Sequence, residues 1–163
     1  MRYQKAKLFW HAQNGHKKVF CIPFDEKEEY YTFLKKYHDC GYRQTILTSE
    51  IILHLMEYFV IKRNLLVYKI VFMEEDLELF EEINNLLRII ALNRVYFGKL
   101  TERIKFLSEK SSIEIKRIYF KGRNEKNEAV DFYLQANGII GINEQCYEAI
   151  SNEIGRQIME DLF

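Results

Sequence analysis

Two Asn-Gly dipeptides, Asn14-Gly15 and Asn137-Gly138, do most to limit what this chain can fold into. Each lies between runs of strand-like composition, and Asn-Gly readily takes the positive φ angles of a tight primed turn, so each predicts an antiparallel hairpin. The first joins strands over residues 3–10 and 17–22. Pro23 closes the second of these, since it has no N–H to give a ladder. The other dipeptide joins strand 129–135 to strand 139–142, and the polar loop 122–128 connects both to a strand over 113–121. In that strand Ile113 and Ile115 share one face while Ile118 and Phe120 share the other, so either both faces are covered or a bulge intervenes.

Between the hairpins the period turns helical. Asp25, with Glu28 three residues on, is a carboxylate variant of the capping box and predicts a helix over 25–40 that carries Tyr30, Tyr31, Leu34 and Tyr37 and stops at Gly41. Residues 51–61 are apolar with few breaks, which suits a buried helix and a buried strand alike. Thr48 and Ser49 can cap a helix start, Glu50 suits its positive end, and Lys62, Arg63 and Asn64 suit the other. The expectation is strand 43–47, helix 50–62 and strand 65–73, against a rival hairpin turning at 62–64. From Glu75, Phe80, Ile83, Leu87 and Ile90 step by three and four, continuing through Phe97, Ile104 and Leu107. A glycine inside a helix costs about 1 kcal/mol against alanine, so Gly98 favours helices 75–93 and 99–109 over one rod. Asn143 caps a last helix with Tyr147, Ile150, Ile154, Ile158 and Leu162 on one stripe and Glu144, Glu148, Glu153 and Glu160 on its other faces. The expected architecture is one α+β domain over 1–163: an N-terminal β-hairpin, central helices, and a C-terminal antiparallel β-meander covered by a final amphipathic helix.

No catalytic residue, metal or cofactor is expected, and the chain reads as a non-enzyme. Nucleotide and hydrolase signatures such as G-x-x-x-x-G-K-[ST], G-x-G-x-x-G and G-x-S-x-G are missing. His38-x-Cys40 and His11-x4-His16 are not metal-ligand spacings. Glu114-Ile115-Lys116 resembles the E-x-K end of a nuclease metal site, but in a chain that is 29% charged such a triplet arises by chance. His38, Asp39 and Cys40 are adjacent at a helix end and point apart, and His54 on an apolar run reads as a core histidine. Cys21, Cys40 and Cys146, odd in number and widely spaced, read as free thiols. Glu57, Lys62 and Arg63 break the one run that approaches a membrane span. Arg2, Lys5 and Lys7 precede no apolar core of the secretory kind. A cytoplasmic location is therefore expected.

The 24 basic and 24 acidic side chains cancel, but they are distributed in blocks. Residues 1–24 carry net +5, 74–92 net −5, 93–126 net +6 and 127–163 net −6. Either folding separates these blocks into a polarised surface, or it sets opposite blocks side by side. With eleven tyrosines and twelve phenylalanines as well, the leading expectation is a protein-binding factor of inhibitor, immunity or regulatory type. The alternative is nucleic-acid binding by the first hairpin, where Arg2, Lys5, Lys7, Lys17 and Lys18 interleave with Tyr3, Phe9 and Trp10. Alternating lysines and aromatics are equally what a half-buried edge strand looks like. A homodimer is a further possibility, because Leu86, Ile89 and Leu92 widen the apolar stripe of the helix from Glu75 beyond the roughly 100° that one sheet consumes.

Overall fold

Gln13 pairs directly with His16 across Asn14 (φ 51°) and Gly15 (φ 78°), the two left-handed residues that a primed turn requires. The computed structural model describes residues 2–162, of Leu162 only the backbone. Its elements are β1 (Tyr3–Gln13), β2 (His16–Pro23), α1 (Tyr30–Asp39), β3 (Arg43–Gln44), α2 (Ser49–Glu57), β4 (Leu66–Phe72), α3 (Leu77–Leu92), α4 (Phe97–Ser111), β5 (Ile115–Arg123), β6 (Ala129–Gln135), β7 (Ile139–Asn143) and α5 (Tyr147–Leu162). The strands form one antiparallel sheet in the order β2-β1-β7-β6-β5-β4. β1 changes partner along its length, pairing with β7 over Tyr3–Lys7 and with β3 at Phe9 and Trp10. The first strand of the chain is thus held by its last.

One face of this sheet builds the core. Ala6, Leu8, Val67, Ile70, Ile118, Phe120, Phe132 and Ile142 meet residues of α2 to α5 such as Ile52, Ile83, Ile104 and Ile154 in a single cluster. Phe59 is fully buried against Phe120 and Phe132, with ring centroids 5.6 and 4.9 Å away. The expected α+β architecture holds, including the final helix across the meander: α5 packs on β2, α2 and β7 through Ile150, Ile154 and Ile158. The Leu162 side chain of the expected stripe lies outside the described residues. Among the described residues no helix is long and apolar enough to cross a membrane.

Several boundaries differ from the sequence reading, each for a local reason. Asp25 does not cap α1; its carboxylate accepts from the Lys27 N–H in a turn, and Glu29 caps instead by accepting from the N–H groups of Tyr31 and Thr32. The strand expected over 43–47 is only Arg43–Gln44, because Thr45 and Leu47 give their N–H groups to Leu8 and Ala136 outside a regular ladder. α2 starts at the Thr48 cap as expected, but its last turn, Tyr58–Lys62, widens into a π-helix closed by Arg63 N–H to Tyr58 O (3.2 Å). The helical rod does break, at Asn93 rather than Gly98: Asn93 is extended (φ −150°, ψ 108°) and its side chain caps the next turn, while Gly98 sits unhindered inside α4. The facing pattern of β5 is resolved by a bulge at Lys116, after which Ile115, Ile118 and Phe120 share the core side. At the sheet's β4 edge a second bulge at Tyr68, the charge of Lys69, and the Arg94 guanidinium on the carbonyls of Asn64 and Leu65 (3.1 and 3.4 Å) interrupt the free ladder.

Candidate functional site: the open face of the sheet

Among the described residues α1 is the helix that packs on the face of the sheet opposite the core, and it covers one end. Phe9 is buried there against Phe33 and Tyr37 (5.9 and 5.4 Å). Beyond α1 the face stays open, and alternation along β1, β5 and β6, with the bulge in β4, turns tyrosines toward it. Tyr68, Tyr119, Tyr133 and Tyr3 form a row across the strands with successive ring centroids 5.6, 5.6 and 5.8 Å apart. The last step crosses β7, where Gly141 leaves the room: a Cβ there would lie 2.2 Å from the Tyr133 ring. Had any other residue faced outward at 141, the row would end at β6.

Cations are interleaved with the rings. The Lys121 ammonium lies 5.0 Å from the Tyr68 centroid and that of Lys69 5.5 Å from Tyr119. The Arg117 guanidinium lies 4.8 Å from Tyr133 and 5.8 Å from Tyr119. It is anchored by donating to the Tyr119 hydroxyl (2.9 Å) and to Gln135 Oε1. Asp131 sits among them and accepts from the hydroxyls of Tyr3 (2.8 Å) and Tyr68 (3.5 Å). Burial, and next the Asp131 carboxylate, push the phenols of Tyr3 and Tyr68 above their ordinary range, and burial does the same to Tyr133. All three stay neutral at physiological pH. Past Tyr3 the surface dips into a cleft of about 580 Å³ where Arg2, Lys5 and Lys27 stand among Asp25, Glu26, Glu28 and Glu144, and Lys5 pairs with Glu26 at 2.6 Å.

The residues named from the first hairpin do not form one surface. Tyr3 and Lys5 belong to the open face; Arg2 beside them pairs with Glu144 (3.3 Å). Lys7 and Phe9 point the same way but are buried, at 0% and 1% exposure. Trp10 faces the other layer, half-buried, with the Lys17 ammonium 4.9 Å from its ring, and Lys18 lies 5.4 Å from Phe20. Sequence reasoning missed Tyr68, Arg117, Tyr119, Lys121, Asp131 and Tyr133. The signal was the alternation Arg117, Tyr119, Lys121 in β5, masked because the bulge at Lys116 shifts its phase. The candidate self-association residues also part company. Stepping by three, each falls about 60° further round the helix. Leu86 packs against the core, Ile89 is 43% exposed and Leu92 91% exposed.

Charge blocks both separate and cancel. β5 presents Arg117 and Lys121 to the open face, while in the helical layer Arg103 of α4 meets Glu82 of α3 at 2.6 Å. Glu114 of the E-x-K triplet is a tie between elements: Ser49 at the start of α2 and Ser108 near the end of α4 both donate to its carboxylate. His54 lines a groove of about 690 Å³ between α2 and α4, its Nδ1 3.8 Å from Asp161. Among the described residues no group of His, Cys, Asp or Glu side chains has an arrangement that could hold a metal ion. No protein-family model, curated protein or solved structure matches the chain.

Proposed function

We propose that the protein is a non-enzymatic binding factor that holds an anionic macromolecular partner against the open face of its sheet. One observation carries this reading: the same face gathers the accessible Tyr3, Tyr68 and Tyr119, backed by the buried Tyr133, with Lys69, Arg117 and Lys121. Tyrosine and arginine are the side chains that interfaces enrich, because each joins a broad contact surface to polar groups that fix orientation. An inhibitor, immunity factor or regulator would use such a face on the acidic surface of another protein. The test compares wild-type protein and Lys69→Glu/Lys121→Glu as baits in a native extract, with and without nuclease. Both lysines are exposed, so the variant keeps its fold. A stoichiometric partner held by the wild type and lost by the variant is the expected result. Equal capture by both baits overturns the reading.

Self-association is a separate proposal, and the exposed ends of α3 make it testable. Leu92→Glu is expected to change stability by less than about 0.5 kcal/mol, whereas Leu86→Glu is expected to cost about 1–3 kcal/mol. If α3 forms a dimer seam, light scattering gives twice the 19.7 kDa chain mass for the wild type and the chain mass for Leu92→Glu. A chain mass for both rejects the seam.

A further inference from the structure

We infer that the partner of the open face is single-stranded nucleic acid, with its bases against the tyrosine row and its phosphates on the interleaved cations. The inference rests on the proposed binding role of that face and specifies its partner. Three features point to a polymer of flat, anionic repeats. The rings form a continuous row at 5.6 to 5.8 Å steps from β4 to β1, in which Tyr3, Tyr68 and Tyr119 keep accessible ring surface for bases while Tyr133, 7% exposed, lies beneath Arg117 and supports its neighbours. Three of the four rings have a cation beside them: Lys121 at Tyr68, Lys69 at Tyr119 and Arg117 at Tyr133. A backbone that carries one charge per base would find the same alternation. Finally, the row itself is net positive, with Lys69, Arg117 and Lys121 against the one acid Asp131, whereas the cleft beyond Tyr3 holds the acids Asp25, Glu26, Glu28 and Glu144 beside Arg2, Lys5 and Lys27, which places the phosphates on the row and not in the cleft.

An acidic peptide would satisfy the lysines but make no use of the ring row. A duplex would meet the cations with its backbone while keeping its bases stacked on one another, out of reach of the tyrosines. Nothing on the face distinguishes ribose from deoxyribose, so the shared chemistry is a single strand of either kind.

The test is fluorescence anisotropy with labelled oligothymidylate and oligouridylate of roughly 15 nucleotides, against the same DNA as a duplex and a labelled polyglutamate peptide. The wild type is expected to prefer the single strands. Tyr119→Leu is expected to weaken single-strand binding about tenfold, the loss of one stacked base, and to leave polyglutamate binding unchanged. Lys69→Gln/Lys121→Gln, at exposed positions that keep the fold intact, is expected to make the log–log salt dependence shallower by about 1.4, the release expected for two phosphate contacts on a single strand. Preference for DNA or for RNA identifies the source; equal binding assigns the face to both. Polyglutamate bound as tightly as the oligonucleotides, or Tyr119→Leu without effect, overturns the inference. If no oligonucleotide binds while the Lys69→Glu/Lys121→Glu bait still loses a protein that the wild type holds through nuclease treatment, the inference falls and the binding role stands. If neither assay separates wild type from variant, both fall.

Discussion

Lys7→Glu is expected to leave the chain unfolded, a loss of more than about 4 kcal/mol, because the ammonium of Lys7 is buried and donates to a backbone carbonyl. Its side chain has no exposed surface, and its Nζ donates to Asn137 O at the turn between β6 and β7. A carboxylate there would set its charge against the Asn137 carbonyl oxygen that now accepts from the ammonium. The lysine itself is held at a cost: burial lowers its pKa from 10.5 to about 8. Below pH 8 both folded and unfolded chains carry the proton, and the folded state bears the full penalty. As pH rises from 8 toward 10.5 the folded state releases its proton first, so stability increases across that window. The rise between pH 7 and 9.5 should be about 2 kcal/mol. Cys21, whose thiol burial pushes up to about 12, acts with the opposite sign above pH 9, because the unfolded chain then ionises it first. The contribution of Lys7 is therefore read as the difference between wild type and Lys7→Met in urea unfolding at the two pH values. A difference that does not change with pH would show that the amine is neutral or solvated throughout. A folded Lys7→Glu would show that position 7 is not enclosed.

Gly138→Ala is expected to cost more than about 3 kcal/mol, whereas the same change at Gly15 should cost about 1 kcal/mol. Both glycines are left-handed, at φ 83° and 78°. Gly15 has nothing within 4 Å of where its Cβ would be, so only the backbone preference is lost. At Gly138 the added carbon would lie 2.1 Å from Thr45 O and 2.7 Å from Lys7 Nζ, and the first of these is backbone. To make room, the turn must separate from the segment that continues β1's pairing after β7 ends, which breaks Leu8 N–H to Gly138 O and Thr45 N–H to Leu8 O. Thermal unfolding of the two variants side by side decides the matter: similar melting temperatures would mean that the junction yields easily and the packing argument is wrong.

These two positions also show what could be read without coordinates. The Asn-Gly turns, the periodic helices and the alternating strands of the meander announce themselves, because each is set by residues within a few positions of one another. Asp25 and Gly98 misled for the same reason: a capping carboxylate and a helix-weakening glycine are local preferences, and Glu29 and Asn93 offered better local solutions nearby. Lys7 and Phe9 read as binding residues since alternation marks a strand but not what covers it: α1 lies over Phe9, and the turn at Asn137-Gly138 takes the end of Lys7. The tyrosine row was out of reach for a different reason. Its members come from β1, β4, β5 and β6, its phase depends on two bulges, and its continuity depends on Gly141, so it exists only once strand order and register are known.

The pairing of β1 with β7 sets the order in which this chain can finish folding. Synthesis delivers Tyr3–Gln13 before the other strands of the sheet, and β2 can take one side of it at once across the Asn14-Gly15 turn. The other side waits, because the strand that occupies it over Tyr3–Lys7 begins at Ile139, after every other strand has been made. Until then a ladder edge lies bare, and the carbonyl that receives the Lys7 ammonium does not yet exist. The nascent hairpin therefore carries an unmatched charge at its bare edge, which discourages that edge from joining another chain. Closure, when β7 arrives, ties the first of these strands to the last in a single long-range step, the kind of contact that makes folding slow and cooperative.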